Sequence, residues 1–430
     1  MRIRSIDAFQ IFDSRGNPTL EAVVRLEDGS VGHGLVPSGA STGQFEALEL
    51  RDGDASKFGG RSVFRAIENV RTIIAPALLG ADASDQAGID RRLIELDGTP
   101  NKSRLGANAI LGVSMATASA AARARGVPLF RHLGRGTLLP LPEIQLIGGG
   151  AHANWRTDVQ DYLLIAVGAT SYAQTLEMTC NVYRAAGELL ARQNLRFGVA
   201  DEGGYWPQFD SNEAPLELAV RAIEAAGYAP GREVALSLDI AASDLYDEQT
   251  NRYRFDLDRQ SLTSEQLAKM LDQWCQRYPI ISIEDPMADV DLDGWHIIAQ
   301  MLRDRIQLVG DDLFVTNLER IRMGIEQKLA NSVLIKLNQV GTVTETMQAI
   351  RLAQSSGMLP IVSARSGETE DAFISHLAVA TDAGQLKVGS FARGERMAKW
   401  NEVLRIAREL GDVASFRGAA IFTDAGLKPP

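Results

Sequence analysis

The sequence predicts an α/β protein: a small α+β domain over residues 1–130, then a βα barrel over residues 131–430. Three observations carry this. Four short apolar runs each end in charge: ALSLD at Asp239, IISIED at Glu284 and Asp285, IQLVGDD at Asp311 and Asp312, and VLIK at Lys336. Each reads as a buried parallel strand. The charges are spaced by about 45 and then twice by about 25 residues, roughly one βα unit per gap. Residues 1–130 instead place strands and then helices in blocks, the pattern of an α+β unit.

Taken in order, Ile3–Phe12 and Thr19–Arg25 alternate as strands around the turn-rich DSRGNP, and SVGHGL continues as a third. Val36–Glu46 (VPSGASTGQFE) is a loop of small residues, too polar for a core and free to close over a ligand. Helices follow at VFRAIENVRTIIAPALLG and at the Ala-rich ANAILGVSMATASAAARARG, which ends on Gly126 as a C-cap. Gly126–Ile144, rich in Pro and Gly, reads as the linker. Beyond it strands and helices alternate, with helices at Tyr172–Gln193, Glu213–Ala226, Ser264–Tyr278, Thr342–Ser356 and Gly394–Leu410.

A chain of 430 residues exceeds one small core. Its net charge of −11 argues against nucleic-acid or anionic-membrane partners. It leaves an anionic substrate open, because a bound metal inverts the local field. With only Cys180 and Cys275 there is no disulfide framework and no thiolate metal cluster. The N-terminus lacks a signal-peptide apolar region, and no apolar stretch reaches the roughly 18 residues of a membrane span, so a cytoplasmic location is expected.

A charge closing a buried strand costs several kcal/mol unless a metal or an opposite charge meets it. Strand-end charges in a βα barrel converge on one mouth. Asp239, Glu284 and Asp311 are hard oxygen ligands suited to Mg²⁺. Lys336, one strand further round, is placed to act as a base once a neighbouring cation disfavours its ammonium form. Lysine base plus metal is one solution to removing a proton α to a carboxylate. Arg365 and Lys387, near the next strand ends, suit two anionic groups such as a phosphate and a carboxylate. Asp285 and Asp312 read as partners behind the ligands rather than as ligands.

These residues resemble the enolase family over nearly the whole chain. DSRGNPT (Asp13–Thr19), VPSGASTG (Val36–Gly43), GGAHA (Gly149–Ala153), DEGGY (Asp201–Tyr205) and SLDIAASDLY (Ser237–Tyr246) fall in the family's order. So do SIEDPM (Ser282–Met287), VGDDLFVTN (Val309–Asn317), IKLNQVGT (Ile335–Thr342), SGETED (Ser366–Asp371) and KVGSFARGERMAKWNEVLRI (Lys387–Ile406). The resemblance implies a lid domain on a variant TIM barrel whose first strands are not all parallel. It implies a homo-oligomer, a dimer or an octamer of dimers. It assigns Asp239, Glu284 and Asp311 to a first Mg²⁺, and Ser41 to a second Mg²⁺ shared with the substrate phosphate. Lys336 would take the C2 proton, and Glu202 would help remove the C3 hydroxyl as general acid. Arg365 and Ser366 would hold the phosphate and Lys387 the carboxylate; His152 and Gln160 would line the pocket, and Asp161 and His152 would join Lys336 and Glu202 in the catalytic set.

The chain also departs from the family's pattern. Ala364 stands where the family has histidine, Asp161 where it has glutamate, and Gly148 where it has asparagine; SRSER has become ARGER (Ala392–Arg396), and DEGGY is followed by the bulky Trp206. The metal ligands and the lysine are kept. General acid–base partners contribute roughly 10²–10⁴-fold each, so these changes predict altered C3 chemistry on a phosphoglycerate- or phosphonate-like acid. A divergent homologue of the carboxyphosphonoenolpyruvate synthase type, serving phosphonate biosynthesis, fits that reading. Two alternatives stay open: ordinary enolase, dehydrating 2-phosphoglycerate to phosphoenolpyruvate, and a non-catalytic enolase-like binding protein.

Overall fold

The computed structural model describes residues 1–39, 43 and 45–427. The first three strands, β1 (Ile3–Phe12), β2 (Pro18–Leu26) and β3 (Val31–Leu35), form an antiparallel meander. Buried residues alternate along β3 and much of β1, the mark of a sheet with one face on a core, while the central β2 is buried along most of its length. That face packs on the Ala107–Ala124 helix, which is buried almost all round because alanine leaves little side chain to hold it off. The approach is closest at β3: a Cβ on Gly32 would lie 2.0 Å from the Ala116 carbonyl oxygen, and one on Gly34 2.3 Å from that of Gly112.

Eight strands then close a barrel: β4 (Leu141–Gly148), β5 (Asp161–Ile165), β6 (Ala235–Asp239), β10 (Ile280–Glu284), β11 (Gln307–Gly310), β12 (Ser332–Ile335), β13 (Leu359–Ser363) and β14 (Gln385–Gly389). Between β6 and β10 a small outlying sheet is made of β7 (Tyr246–Asp247), β8 (Arg252–Phe255) and β9 (Gln260–Leu262). β5 runs antiparallel to both of its neighbours, β4 and β6; the other barrel pairs are parallel. This is the α/β architecture, with the not-all-parallel start, that the resemblance implied. The four charge-ended runs are β6, β10, β11 and β12, as their apolar patterns predict.

The stretch expected as a linker, Gly126–Ile144, needs correction. It holds a short helix, Leu129–Leu133, and the first half of β4. Pro140 and Pro142 read as breakers, but a proline costs a strand only one donor, and β4 is buried along its whole length. Gly126 does adopt a left-handed φ of +64° just past the helix end, the conformation expected of a C-cap.

The meander domain reaches the barrel mouth through the segment at Ser38. Ser38 and Gly367 exchange backbone hydrogen bonds of 2.8 and 2.9 Å, and the Ser14 N–H donates to the Glu368 carbonyl at 2.7 Å. Among the described residues no helix is long and apolar enough to cross a membrane.

Substituting Gly32→Ala forces a methyl group into the Ala116 backbone. The expected outcome is a loss of about 1–3 kcal/mol, read from urea unfolding midpoints; an unchanged midpoint would show that sheet and helix are not in hard contact.

Candidate active site

Strand register lines up the charged residues of the barrel mouth. Asp161 opposes Asp239 across β5 and β6, and Asp239 opposes Glu284 across β6 and β10. On the far side Ser363 opposes Lys387, which opposes Glu143. β5 enters the barrel from the mouth because it runs antiparallel, so its first residue, Asp161, lies level with the last residue of β6.

One pocket is lined by ten of the residues singled out in the sequence: His152, Gln160, Asp161, Glu202, Asp239, Asp311, Lys336, Arg365, Ser366 and Lys387. Glu284 lies just behind, in contact with Lys387. Ser41 lies outside the described residues.

Lys387 is the hub of the mouth. Its Nζ stands 2.9 Å from Asp239 Oδ2, 2.8 Å from Glu284 Oε2 and 3.6 Å from Asp161 Oδ2. Burial alone would pull its ammonium down, but these carboxylates hold it well above the ordinary lysine range. The position expected to grip a substrate carboxylate therefore neutralises protein carboxylates. Lys336 Nζ bonds Asp311 Oδ2, while Gln339 Nε2 donates to Asp311 Oδ1 at 2.8 Å. Burial disfavours the Lys336 ammonium, yet the Asp311 charge outweighs it and raises the lysine above its ordinary value. Lys336 thus rests paired with Asp311.

Asp239, Glu284 and Asp311 do not form the tightest acidic group. The ligand atoms that lie within 4.8 Å of one another belong to His152, Asp161 and Glu202, and to Asp285, Asp311 and Asp312. The Lys387 ammonium bonds both Asp239 and Glu284. The expected ligands still fit a hard cation. All are carboxylates, and Glu284 Oε1 is buried without a hydrogen-bond partner, an acceptor whose desolvation is uncompensated. Asp285 is used otherwise: its two oxygens accept the Asp311 and Asp312 N–H groups at 2.9 and 2.8 Å and fix the turn after β11.

The two acids of the opposite wall are shifted in opposite directions. Burial raises the Glu202 carboxyl, and the Asp161 charge raises it further. Asp161 is equally buried, but His152, Lys387 and Gln145 outweigh that and bring it to about 2. The environment thus pushes the two neighbouring carboxyls in opposite directions. His152 Nδ1 lies 3.7 Å from Asp161 Oδ1, an ion-pair distance; burial pulls the imidazole down, and the surrounding carboxylates raise it above its usual value.

Arg365 pairs with Glu46, Nη1 to Oε2 at 3.0 Å and Nη2 to Oε1 at 3.2 Å, and Nη1 also donates to Asn338 at 2.8 Å. Ser366 Oγ accepts from Arg15 Nη1 at 3.1 Å. Sequence reasoning missed the support of this segment. Arg396, fully buried, donates to the carbonyls of Arg365 (2.7 Å), Val388 (2.8 Å) and Ser366 (2.6 Å). Its place in the closing motif was visible; its burial was not. Trp206 lies beneath the Arg156 guanidinium, 4.6 Å from ring centre, and does not line the pocket. Ala364 presents only a methyl group to the pocket wall.

A closed barrel with a carboxylate-and-lysine mouth, capped by a meander-and-helix domain, defines a class of enzymes that act on the α-carbon of carboxylic acids. The chain belongs to the enolase family: the model of the enolase N-terminal domain matches residues 3–133, and that of the enolase C-terminal TIM barrel domain matches residues 136–425. It is 54% identical over 430 residues to Enolase 1 of Desulfitobacterium hafniense (strain Y51), covering 99% of this chain and 98% of that protein. The chain is accordingly an enolase-like enzyme with lyase chemistry. This similarity overturns the expectation of a carboxyphosphonoenolpyruvate synthase with altered C3 chemistry. The changes at Gly148, Asp161 and Ala364 sit in a chain that matches an enolase end to end, and they do not set it apart from the family.

Below the mouth, sequence reasoning also passed over Glu143, which accepts from Gln385 Nε2 at 3.1 Å and Ser237 Oγ at 3.2 Å. Burial pushes its carboxyl up to about 7, with Lys387 pulling the other way. Between its unfolded value of about 4.3 and that folded value, the unfolded chain sheds a proton that the native state retains. Stability present below pH of about 4.3 is therefore lost as pH rises to about 7. Relative to Glu143→Gln, the wild type is expected to lose roughly 2 kcal/mol between pH 5 and pH 7.5, read from urea unfolding; parallel stability curves would contradict it.

Proposed function

We propose that this enzyme is an ordinary Mg²⁺-dependent enolase, removing water from 2-phosphoglycerate to give phosphoenolpyruvate. The observation that carries the reading is the placement of Lys336 on one wall of the mouth and of Glu202, beside Asp161 and His152, on the facing wall. Anti-sided removal of a C2 proton and a C3 hydroxyl needs such a base and such an acid on opposite sides of a three-carbon acid. The whole-length similarity to Enolase 1 supports the same reaction.

Asp239, Glu284 and Asp311 would hold Mg²⁺, which when bound supplies positive charge that offsets both the Asp311 carboxylate and the charge building on the substrate carboxylate. Lys336, relieved of the Asp311 charge, takes the C2 proton on Nζ. Glu202 delivers its proton to the departing C3 hydroxyl, with Asp161 and His152 holding the local charge. Lys387 and Arg365 attract the anionic substrate, and Ser366 and Gln160 flank it. The rest of the reading rests on the family. Ser41 helps bind a second Mg²⁺, the domains divide near residues 130 and 131, and the enzyme works in the cytoplasm as a dimer or an octamer of dimers. It needs no nucleic-acid or membrane partner.

With 2-phosphoglycerate and Mg²⁺, ultraviolet absorbance is expected to report phosphoenolpyruvate formation that chelation abolishes. Lys336→Met is expected to lower kcat by about 10²-fold or more while leaving the thermal midpoint close to wild type. An inactive wild type, or a Lys336→Met enzyme at full speed, would refute the assignment.

A further inference from the structure

We propose that Gln145 is a positioning residue that locks Asp161 to the segment carrying Glu202. The inference deepens the function proposed above and rests on it. Gln145 lies in β4 and is fully buried. Its Nε2 donates to Asp161 Oδ1, and its Oε1 accepts the Gly204 N–H at 2.8 Å. Both ends of the amide are therefore spoken for. A flipped amide would set oxygen against carboxylate and N–H against N–H, so the orientation is determined.

The surroundings are shaped to this side chain. A Cβ on Gly204 would lie 2.7 Å from Gln145 Oε1. One on Gly148 would lie 3.3 Å from Gln145 Nε2 and 2.5 Å from the Ala200 methyl. Gly148 is also the residue that opposes Asp161 across β4 and β5. The segment after Glu202 docks along the same strand: the Tyr205 N–H donates to the Leu146 carbonyl, and the Gly148 N–H to the Tyr205 carbonyl, both at 2.9 Å. Gln145 is the side-chain tie within that dock.

Two of the departures from the family pattern then have one explanation. Asp161 holds its carboxyl one methylene closer to the backbone than glutamate would, and a long side chain from the adjoining strand reaches it. Gly148 leaves room for the Ala200 methyl, 2.5 Å from where its Cβ would be, and for that side chain, 3.3 Å from it. The pair preserves an anchored anion beside Glu202.

The test uses the full-length enzyme with 2-phosphoglycerate and Mg²⁺. Gln145→Asn, one methylene too short, is expected to lower kcat about 10–100-fold, within the range for a disturbed acid–base partner, with KM changed by less than about threefold. Adding Asp161→Glu to it restores the reach from the other side and is expected to return kcat to within about fivefold of wild type, a coupling that neighbours in one hydrogen-bond network show. Gln145→Met keeps the volume without either hydrogen bond, guards against a folding defect, and is expected to match the Asn variant in kcat. The proposal is overturned if the Met variant keeps wild-type kcat, or if Asp161→Glu fails to rescue a folded Gln145→Asn enzyme. An inactive wild type would overturn the functional reading and this inference together.

Discussion

Three carboxylates, Asp161, Asp239 and Glu284, stand side by side on neighbouring strands at the barrel mouth, and the Lys387 ammonium within 3.6 Å of all three makes that possible. Buried like charges at such spacing cost several kcal/mol each when left alone. One cation at the centre offsets them and leaves the carboxylates short of full neutralisation. That deficit is what gives the mouth its affinity for further positive charge, and Glu284 Oε1, buried without a partner, is where it is most evident.

The division of labour across the mouth follows from the same arrangement. Asp161 is near enough to Lys387 and His152 to be brought down to about 2, and burial together with its charge raises the Glu202 carboxyl. On the other wall Asp311 fastens Lys336 as an ammonium. On each wall a neighbouring charge thus sets the proton affinity of the group beside it. The barrel supplies this through register: reversing β5 brings its first residue, rather than its last, level with Asp239.

Much of this was legible in the linear chain. The apolar runs ending in Asp239, Glu284, Asp311 and Lys336 are strands because a charge after four or five buried residues has few other places to go. The family motifs named nearly every residue that lines the pocket. What misled was reading substitutions one at a time. Asp161, Gly148 and Ala364 looked like losses, and the altered reaction inferred from them does not stand beside 54% identity to an enolase over the whole chain. Gln145 and Gly148 are three positions apart on one strand, and nothing in the spacing says that both attend to Asp161.

The sequence by itself determined the two-part α/β architecture and the identity of the charged residues at the strand ends, because periodicity and burial cost are local properties of the chain. Only the tertiary structure decided how those charges are paired. Lys387 serves Asp239 and Glu284, Arg365 turns to Glu46, Arg396 is buried beneath the Arg365–Ser366 segment, and Gln145 ties Asp161 of β5 to the Gly204 N–H. Each pairing joins residues from separate elements, and the nearest opposite charge in space is set by barrel closure rather than by distance along the chain.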